Sequence, residues 1–432
     1  MSWLRQKIWV LMVFLVMGSI LFGSPFKLSA QLKEGDIISK DNWEQVKGQT
    51  FDGGFGGGKI EEMLTPKLIE QIVNWNLKIR LKNYQRYEFP IECQELTKKY
   101  GGTYKLEGKR LPGYIAGIPF PWETIDPKDP KAGWKAIWNV LYGRQIGDQM
   151  VTPKFGYVFI DGKRGVERMQ HGEWANYYYK NRSKVPPVPV HETPDNLYSK
   201  NLLFFVYPYD IRGLGMMAIK YDDDRNQQSY AYLRSVRRIR RLSSAAWMDP
   251  IGGTDQLYDD QEIYDARPEW YDDFKYLGRK KMLITRNLPY VLWKEDEKGI
   301  YEQFPWMDLR TPPFWQPLSV WEPAWVHVIE CIPPSYHPYS KKIIYVDEEE
   351  CKPLLSEMYD RKGEFWKFFH VGGSPKPDEQ WGRKFVLSAN GHICDYQKMH
   401  ATAWNNPASF VINPKGISED YFTVERLRAA GK

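Results

Sequence analysis

The chain has 432 residues and a formal net charge of +6, with charged side chains at 26%. That is too near neutral for nucleic acid to be its main partner, since such proteins show strong basic bias. Aromatic residues are the outlier at 15%, including 18 tryptophans. They supply a large core without disulfide staples and leave rings to line a ligand cavity or a carbohydrate surface.

The N-terminus reads as a secretory signal. Arg5 and Lys7 precede an apolar run from Ile8 to Phe22, interrupted by Gly18 and Ser19. Gly23, Ser24 and Pro25 follow, and a small-residue cleavage site ends at Ala30. A spanning helix needs about 20 apolar residues, so cleavage after Ala30 is expected, an uncleaved N-terminal anchor being the alternative. Losing residues 1–30 lowers the net charge from +6 to +3. The first cysteine is Cys93, too far on for a lipid-modified N-terminus. No later run spans a bilayer, so the mature protein is expected to be soluble and periplasmic.

Residues 31–150 form an N-terminal helical and loop-rich segment. Ser39 is positioned to cap a short helix through Trp43 and Val46. The stretch from Phe51 to Ile60 carries five glycines but lacks the G-K-[ST] ending of a phosphate loop, and it reads as a flexible connector. Thr65 followed by Pro66 marks a helix start, and Leu68, Ile69, Ile72, Val73, Trp75 and Leu77 keep helical spacing. Trp134, Ile137, Trp138 and Leu141 fall at i, i+3, i+4 and i+7, one apolar face that must dock on something.

Residues 151–432 change texture. Short runs rich in Val, Ile, Phe and Tyr recur between turn signals, among them the Asp161-Gly162 pair and Pro-rich loops at 186–196 and 311–317. This pattern predicts a large, mostly antiparallel sheet. Four cysteines, at 93, 331, 351 and 394, allow one or two disulfides in an oxidising compartment, Cys331–Cys351 being the most local pair.

Chemical motifs are sparse. There is no G-x-S-x-G elbow, and the carboxylate pairs Asp249/Asp255 and Glu173/Asp161 are what any acid-rich chain offers. His392, Cys394 and His400 lack a metal-ligand spacing. The runs Asp222–Asp224 and Asp347–Glu350 lack a calcium-loop pattern. No catalytic residue, metal or cofactor is therefore predicted. The arginines Arg234, Arg237, Arg238, Arg240 and Arg241 match anionic headgroups in chemistry. Pairing with Asp222–Asp224, Asp259 and Asp260 across strands is the expected use.

The densest pattern lies between Tyr207 and Asp260. Asp210, Arg212 and Gly213 form a D-x-R-G step; Tyr232 and Leu233 precede the basic run; Asp255, Asp259 and Asp260 form a G-x-D…D-D segment. With GDIISKDNWEQV (35–46), GIPFPW (117–122), KAIWNVLYGRQ (135–145), HPYSKKIIYVDEE (337–349) and HATAW (400–404), the chain resembles the domain-of-unknown-function 1329 family of bacterial envelope proteins. It resembles, through that family, the outer-membrane lipoprotein-sorting (LolA/LolB-like) superfamily. Arg234 stands where the pattern has proline. The resemblance implies a mainly β, α+β fold, in which a strongly curved antiparallel half-barrel carries helices packed in its mouth. It implies a carrier that shelters a lipid or other apolar molecule between an inner-membrane exporter and an outer-membrane acceptor. The cavity would be lined by Phe205, Tyr207, Met217, Ile219, Tyr232 and Trp247, with Arg237, Arg238, Arg240 and Arg241 as headgroup or structural arginines. A periplasmic hydrolase of lipid or glycan, and a glycan-binding or envelope-assembly module, are the rival readings.

Overall fold

The computed structural model describes residues 31–143, 147–233, 238–243, 245–288, 303–377, 384–405 and 410–430. The export signal lies outside the described residues, as do Arg234 and Arg237. No described helix is long and apolar enough to cross a membrane.

Strands dominate. In chain order they are β1 (Ile37–Ile38), β2 (Ile79–Leu81), β3 (Gln149–Asp161), β4 (Gly165–Tyr178), β5 (Leu197–Tyr207), β6 (Gly215–Tyr221), β7 (Gln228–Leu233), β8 (Arg238–Arg241) and β9 (Asp273–Ile284). They continue with β10 (Met307–Asp308), β11 (Gln316–Pro317), β12 (Val320–Ile332), β13 (Lys341–Asp347), β14 (Lys352–Tyr359), β15 (Phe365–Pro377), β16 (Lys384–Asp395), β17 (His400–Asn405) and β18 (Val411–Ile412). All but β10 and β11 join one sheet in the order β1-β2-β12-β13-β14-β15-β16-β17-β3-β4-β5-β6-β7-β8, with β9 also on β12 and β18 on β3. The pairs are antiparallel except β2 with β12, so the sheet is mixed rather than purely antiparallel. Residues 31–150 thus add β1 and β2 to the sheet that the later residues build.

Among the described residues the α-helices are α1 (Trp43–Val46), α2 (Pro66–Trp75), α3 (Ile91–Tyr100), α4 (Ala132–Tyr142) and α5 (Val424–Ala430). Helix α2 starts as its sequence dictates, the Thr65 hydroxyl accepting from the Leu68 amide at 3.1 Å with Pro66 in the first turn. Asn42, not Ser39, precedes α1, and its side chain accepts from the Ser39 amide. The apolar face of α4 docks on β9 and β12. Approach is close because Gly133 faces the backbone of Phe274, while Trp134 packs edge-on to the Phe274 ring and donates to Asp273 at 3.1 Å.

The sheet is buried on both faces. Phe155, Tyr157 and Phe159 of β3 join the main core, whereas their neighbours Val158 and Ile160 pack against Trp315, Cys394 and Ala403 on the opposite side. Helix α5 covers the same opposite side of β5–β7, with Phe422 and Leu427 against Phe204, Met217 and Tyr232.

The disulfides that the sequence allows are not formed: all four cysteines are buried free thiols. Register explains why the most local pair stays apart. Cys331 pairs with Lys342 at one end of β13, and Cys351 precedes Lys352, which pairs with Asp347 at the other. At about 3.3 Å per residue the two ends are some 15 Å apart, and a disulfide requires Cα atoms within about 7 Å.

The glycine-rich connector is held in place. The ammonium of Lys281 on β9 donates to the carbonyls of Phe55, Gly56 and Gly57 at 2.8–3.1 Å. Gly53, Gly54, Gly56 and Gly57 all have positive φ, which only glycine adopts without cost.

Candidate functional site

A cleft lies between the face of β3–β6 and a roof formed by residues 246–270. Because successive strand residues alternate faces, the floor is built from Phe155 and Tyr157, Trp174 and Asn176, Asn201 and Leu203, and Met216, Ala218 and Lys220. Trp247, Ile251, Tyr258, Gln261 and Asp265 close it from above, and Trp404 of β17 forms one wall. The empty space around its main chamber is about 520 Å³, a figure that takes in open solvent at the mouth.

The cleft mixes apolar and polar walls. Its main chamber is lined by Phe155, Leu203, Met216 and Ile251 together with Asn201, Gln256, Gln261 and Glu262. Next to it stand Asn176, Ser199 and Lys220, with Asn201 common to both. There the Asn201 amide donates to the Asn176 carbonyl oxygen at 2.5 Å, and the Lys220 ammonium meets the carboxylate and carbonyl oxygen of Asp265. The indole N–H of Trp174, in the cleft wall, is buried without a hydrogen-bond partner among the described residues. Burial raises the hydroxyl pKa of Tyr157, and pushes that of Tyr258 up to about 12, so both stay neutral and can donate.

The roof has little regular structure and is held by charge. Asp259 and Asp260 are fully buried beside Lys342 of β13, whose ammonium lies 3.2 Å and 2.7 Å from their carboxylates and donates to the Ile263 carbonyl at 3.0 Å. Tyr271 donates to Asp259 at 2.5 Å and Tyr339 to Asp260 at 2.7 Å. A second staple is Asp255, which accepts from Thr402 at 2.8 Å and lies 2.7 Å from His400 Nδ1. The Asp255 hydrogen bond, against opposing burial, raises the pKa of His400. Between the staples, Glu262 and Ile263 hold φ of 54° and 73°, a left-handed geometry rare for a β-branched residue. Glu262 reaches Lys352 at 2.6 Å and accepts from Ser388.

The sequence pattern that defines DUF1329, described as a protein of unknown function, matches residues 37–428. The chain belongs to the DUF1329 family. It is 23% identical over 316 residues to an uncharacterized protein of Pseudomonas aeruginosa, a match covering 69% of this chain and 63% of that protein. The chain therefore spans less than two thirds of that relative's length. Among solved structures, a DUF1329 family protein from Desulfovibrio piger is similar at 14% identity and a TM-score of 0.48, covering 70% of this chain and 99% of that one. A LolA superfamily protein from Nitrosomonas europaea is similar at 11% identity and a TM-score of 0.37, covering 66% and 97%.

In this DUF1329 chain the G-x-D…D-D and HPYSKK segments meet: Asp259 and Asp260 of the first are held by His337, Tyr339 and Lys342 of the second. Of the expected lining residues, Trp247 lies in the roof. Phe205 faces the same side as the cleft but is sealed beneath Gly252, whose substitution would drive a Cβ to 2.9 Å from the ring. Met217, Ile219 and Tyr232 point to the opposite face, under α5. Their neighbours Met216, Ala218 and Lys220 line the cleft instead. Tyr207 lies beyond a register shift between His171 and Gly172 and is 51% exposed. The described arginines of the cluster do not pair as expected. Arg238, Arg240 and Arg241 are exposed on the edge strand β8, while the acids proposed for them bind elsewhere: Asp222 to Arg267, Asp223 to Arg225, Asp224 to Arg110, and Asp259 with Asp260 to Lys342. His392, Cys394 and His400 do not converge, and no cluster of three metal-ligating side chains occurs among the described residues.

Proposed function

We propose that this DUF1329 chain is a cell-envelope binding protein that shelters an apolar or amphipathic molecule in the cleft beneath residues 246–270. The observation that carries the reading is the cleft itself, where Phe155, Leu203, Met216 and Ile251 share a chamber with Asn201, Gln256, Gln261 and Glu262, and Asn176 and Lys220 extend the polar side. Burial is worth about 0.8 kcal/mol per CH₂, so an apolar molecule gains much by leaving water for such a floor. In this reading the sheet curves as a half-barrel around the cargo. The protein works in the periplasm after signal cleavage, receives cargo from an inner-membrane exporter and yields it to an outer-membrane acceptor. It does so as a carrier, not as an enzyme. The glycan-binding alternative calls for exposed tryptophans, and none of the described tryptophans is exposed.

Competition with a fluorescent fatty acid, cis-parinaric acid, tests the carrier reading, together with native mass spectrometry of the isolated protein. Met216→Trp fills the cleft and is expected to weaken probe binding at least tenfold. Met217→Ala, on the other face, should leave it unchanged. Equal affinities in the two variants, or no probe binding at all, would overturn the assignment of the cleft.

A further inference from the structure

One end of the sheet carries exposed aromatic and cationic side chains together. The row Phe204–Gly215–Tyr232–Ile239 runs straight across β5, β6, β7 and β8. Just beyond it lie Val206 and Tyr207 at the end of β5 and Tyr209 on the β5–β6 connection, 36%, 51% and 72% exposed. Exposed Arg212 follows on the same connection, and exposed Arg238 stands at the β8 end of the next row. Arg240 and Arg241 extend the charge along β8, the last strand of the sheet. No ion pair holds Arg212, Arg238, Arg240 or Arg241 among the described residues, and Asp210 is the one acid on the β5–β6 connection. At about 4.8 Å between strands, the tyrosines and the β8 arginines span some 14 Å of one edge.

We propose that this corner of the sheet docks on an anionic lipid bilayer. Tyrosines place an apolar body and a polar tip at the headgroup level, and arginines there are drawn to anionic lipid. Protection of an edge strand from aggregation accounts for charge on β8, but not for the exposure of Tyr207 and Tyr209 at the same end. An added protein strand is the poorer occupant, because β8 offers only Arg238–Arg241 for pairing. Docking would also bring this part of the cleft towards the membrane, since Leu203 and Met216 sit within a residue of the same row on the cleft face.

Flotation of the full chain with vesicles of phosphatidylglycerol and phosphatidylcholine, or of phosphatidylcholine alone, tests this without any cargo. The apolar run at residues 8–22 is common to every variant, so differences between variants read the corner alone. Arginine near such a surface is worth roughly fivefold in binding. Arg238→Ser with Arg240→Ser should therefore weaken anionic-vesicle binding about 25-fold, and Tyr207→Ser with Tyr209→Ser should weaken it severalfold. Wild-type selectivity should vanish in 0.5 M salt, as screening requires. These side chains are exposed, so unchanged thermal midpoints will show that each variant is folded. Both double variants binding like wild type, or equal binding to neutral vesicles, overturns the proposal. Selective loss in the arginine variant with cis-parinaric acid binding intact would separate docking from cargo capture.

Discussion

Lys342→Met should destabilise the protein by about 3–5 kcal/mol at pH 7, the usual cost of leaving a buried charge without its partner. The side chain is fully buried, and removing its ammonium strands two carboxylates and the Ile263 carbonyl at once. Methionine keeps the volume, so the loss is electrostatic rather than a cavity. In the wild type, burial works to raise the pKa of Asp259, but Lys342, with His337 and Tyr271, outweighs it and holds the group well below the ordinary carboxylate range. A depressed carboxylate contributes stability that is present above the unfolded value near 3.9 and lost as pH falls through the folded value. In the variant burial is unopposed by the lysine, so the folded form should take up a proton more readily than the unfolded chain. The gap between wild type and variant should then be widest at pH 7 and shrink towards pH 4.5. Urea denaturation followed by tryptophan fluorescence at the two pH values measures it. A loss below 1 kcal/mol at pH 7, or a gap that does not change with pH, would refute the view that this network holds the roof.

Glu350 is buried with neither carboxylate oxygen hydrogen-bonded among the described residues. Burial first, then the charge of Asp347, pushes its pKa up to about 8. A raised carboxylate takes up its proton in the folded state first, so stability should fall as pH rises from about 4.5 to 8, by on the order of 2–4 kcal/mol. Glu350→Gln should flatten that slope in pH-dependent denaturation, and an unchanged slope would count against it. Gly133→Ala places a Cβ 2.0 Å from the Phe274 carbonyl oxygen and should cost about 3 kcal/mol by overpacking, seen as a lower thermal midpoint; a shift within error would mean that α4 sits further from β9. The four cysteines should resist a thiol reagent in the native state and all react once unfolded, because they are buried, and burial raises the thiol pKa of Cys93 to about 12 and also pushes up those of Cys331, Cys351 and Cys394. A reductant should leave the midpoint where it was, and any dependence on reductant would restore the disulfide.

Local chemistry was legible in the amino-acid order. Thr65-Pro66 starts a helix wherever it is placed, because the hydroxyl and the missing N–H both answer needs of the first turn. The Trp134, Ile137, Trp138 and Leu141 stripe announces a docking face, and β-rich runs between turn residues announce strands; these are short-range properties that hold before any packing exists. Strand β14 has no alternating apolar pattern to announce it, since Lys352, Pro353, Ser356 and Glu357 interrupt the run, yet the sheet buries them on both sides. Which face of β5 and β6 meets the cleft was not legible either. The run from Leu202 to Val206 and the run from Met216 to Ile219 are apolar on both sides, so alternation, which needs a wet face for contrast, carries no sign. Only the placement of α5 on one side and residues 246–270 on the other selects Met216 over Met217. The same holds for Lys342, which looks like a solvated strand lysine until Asp259 and Asp260, some eighty residues earlier, fold against it. Helix starts and strand runs were set by neighbours in sequence; the cleft, its roof and its charge network were decided by neighbours in space, whose distance along the chain leaves no periodic trace.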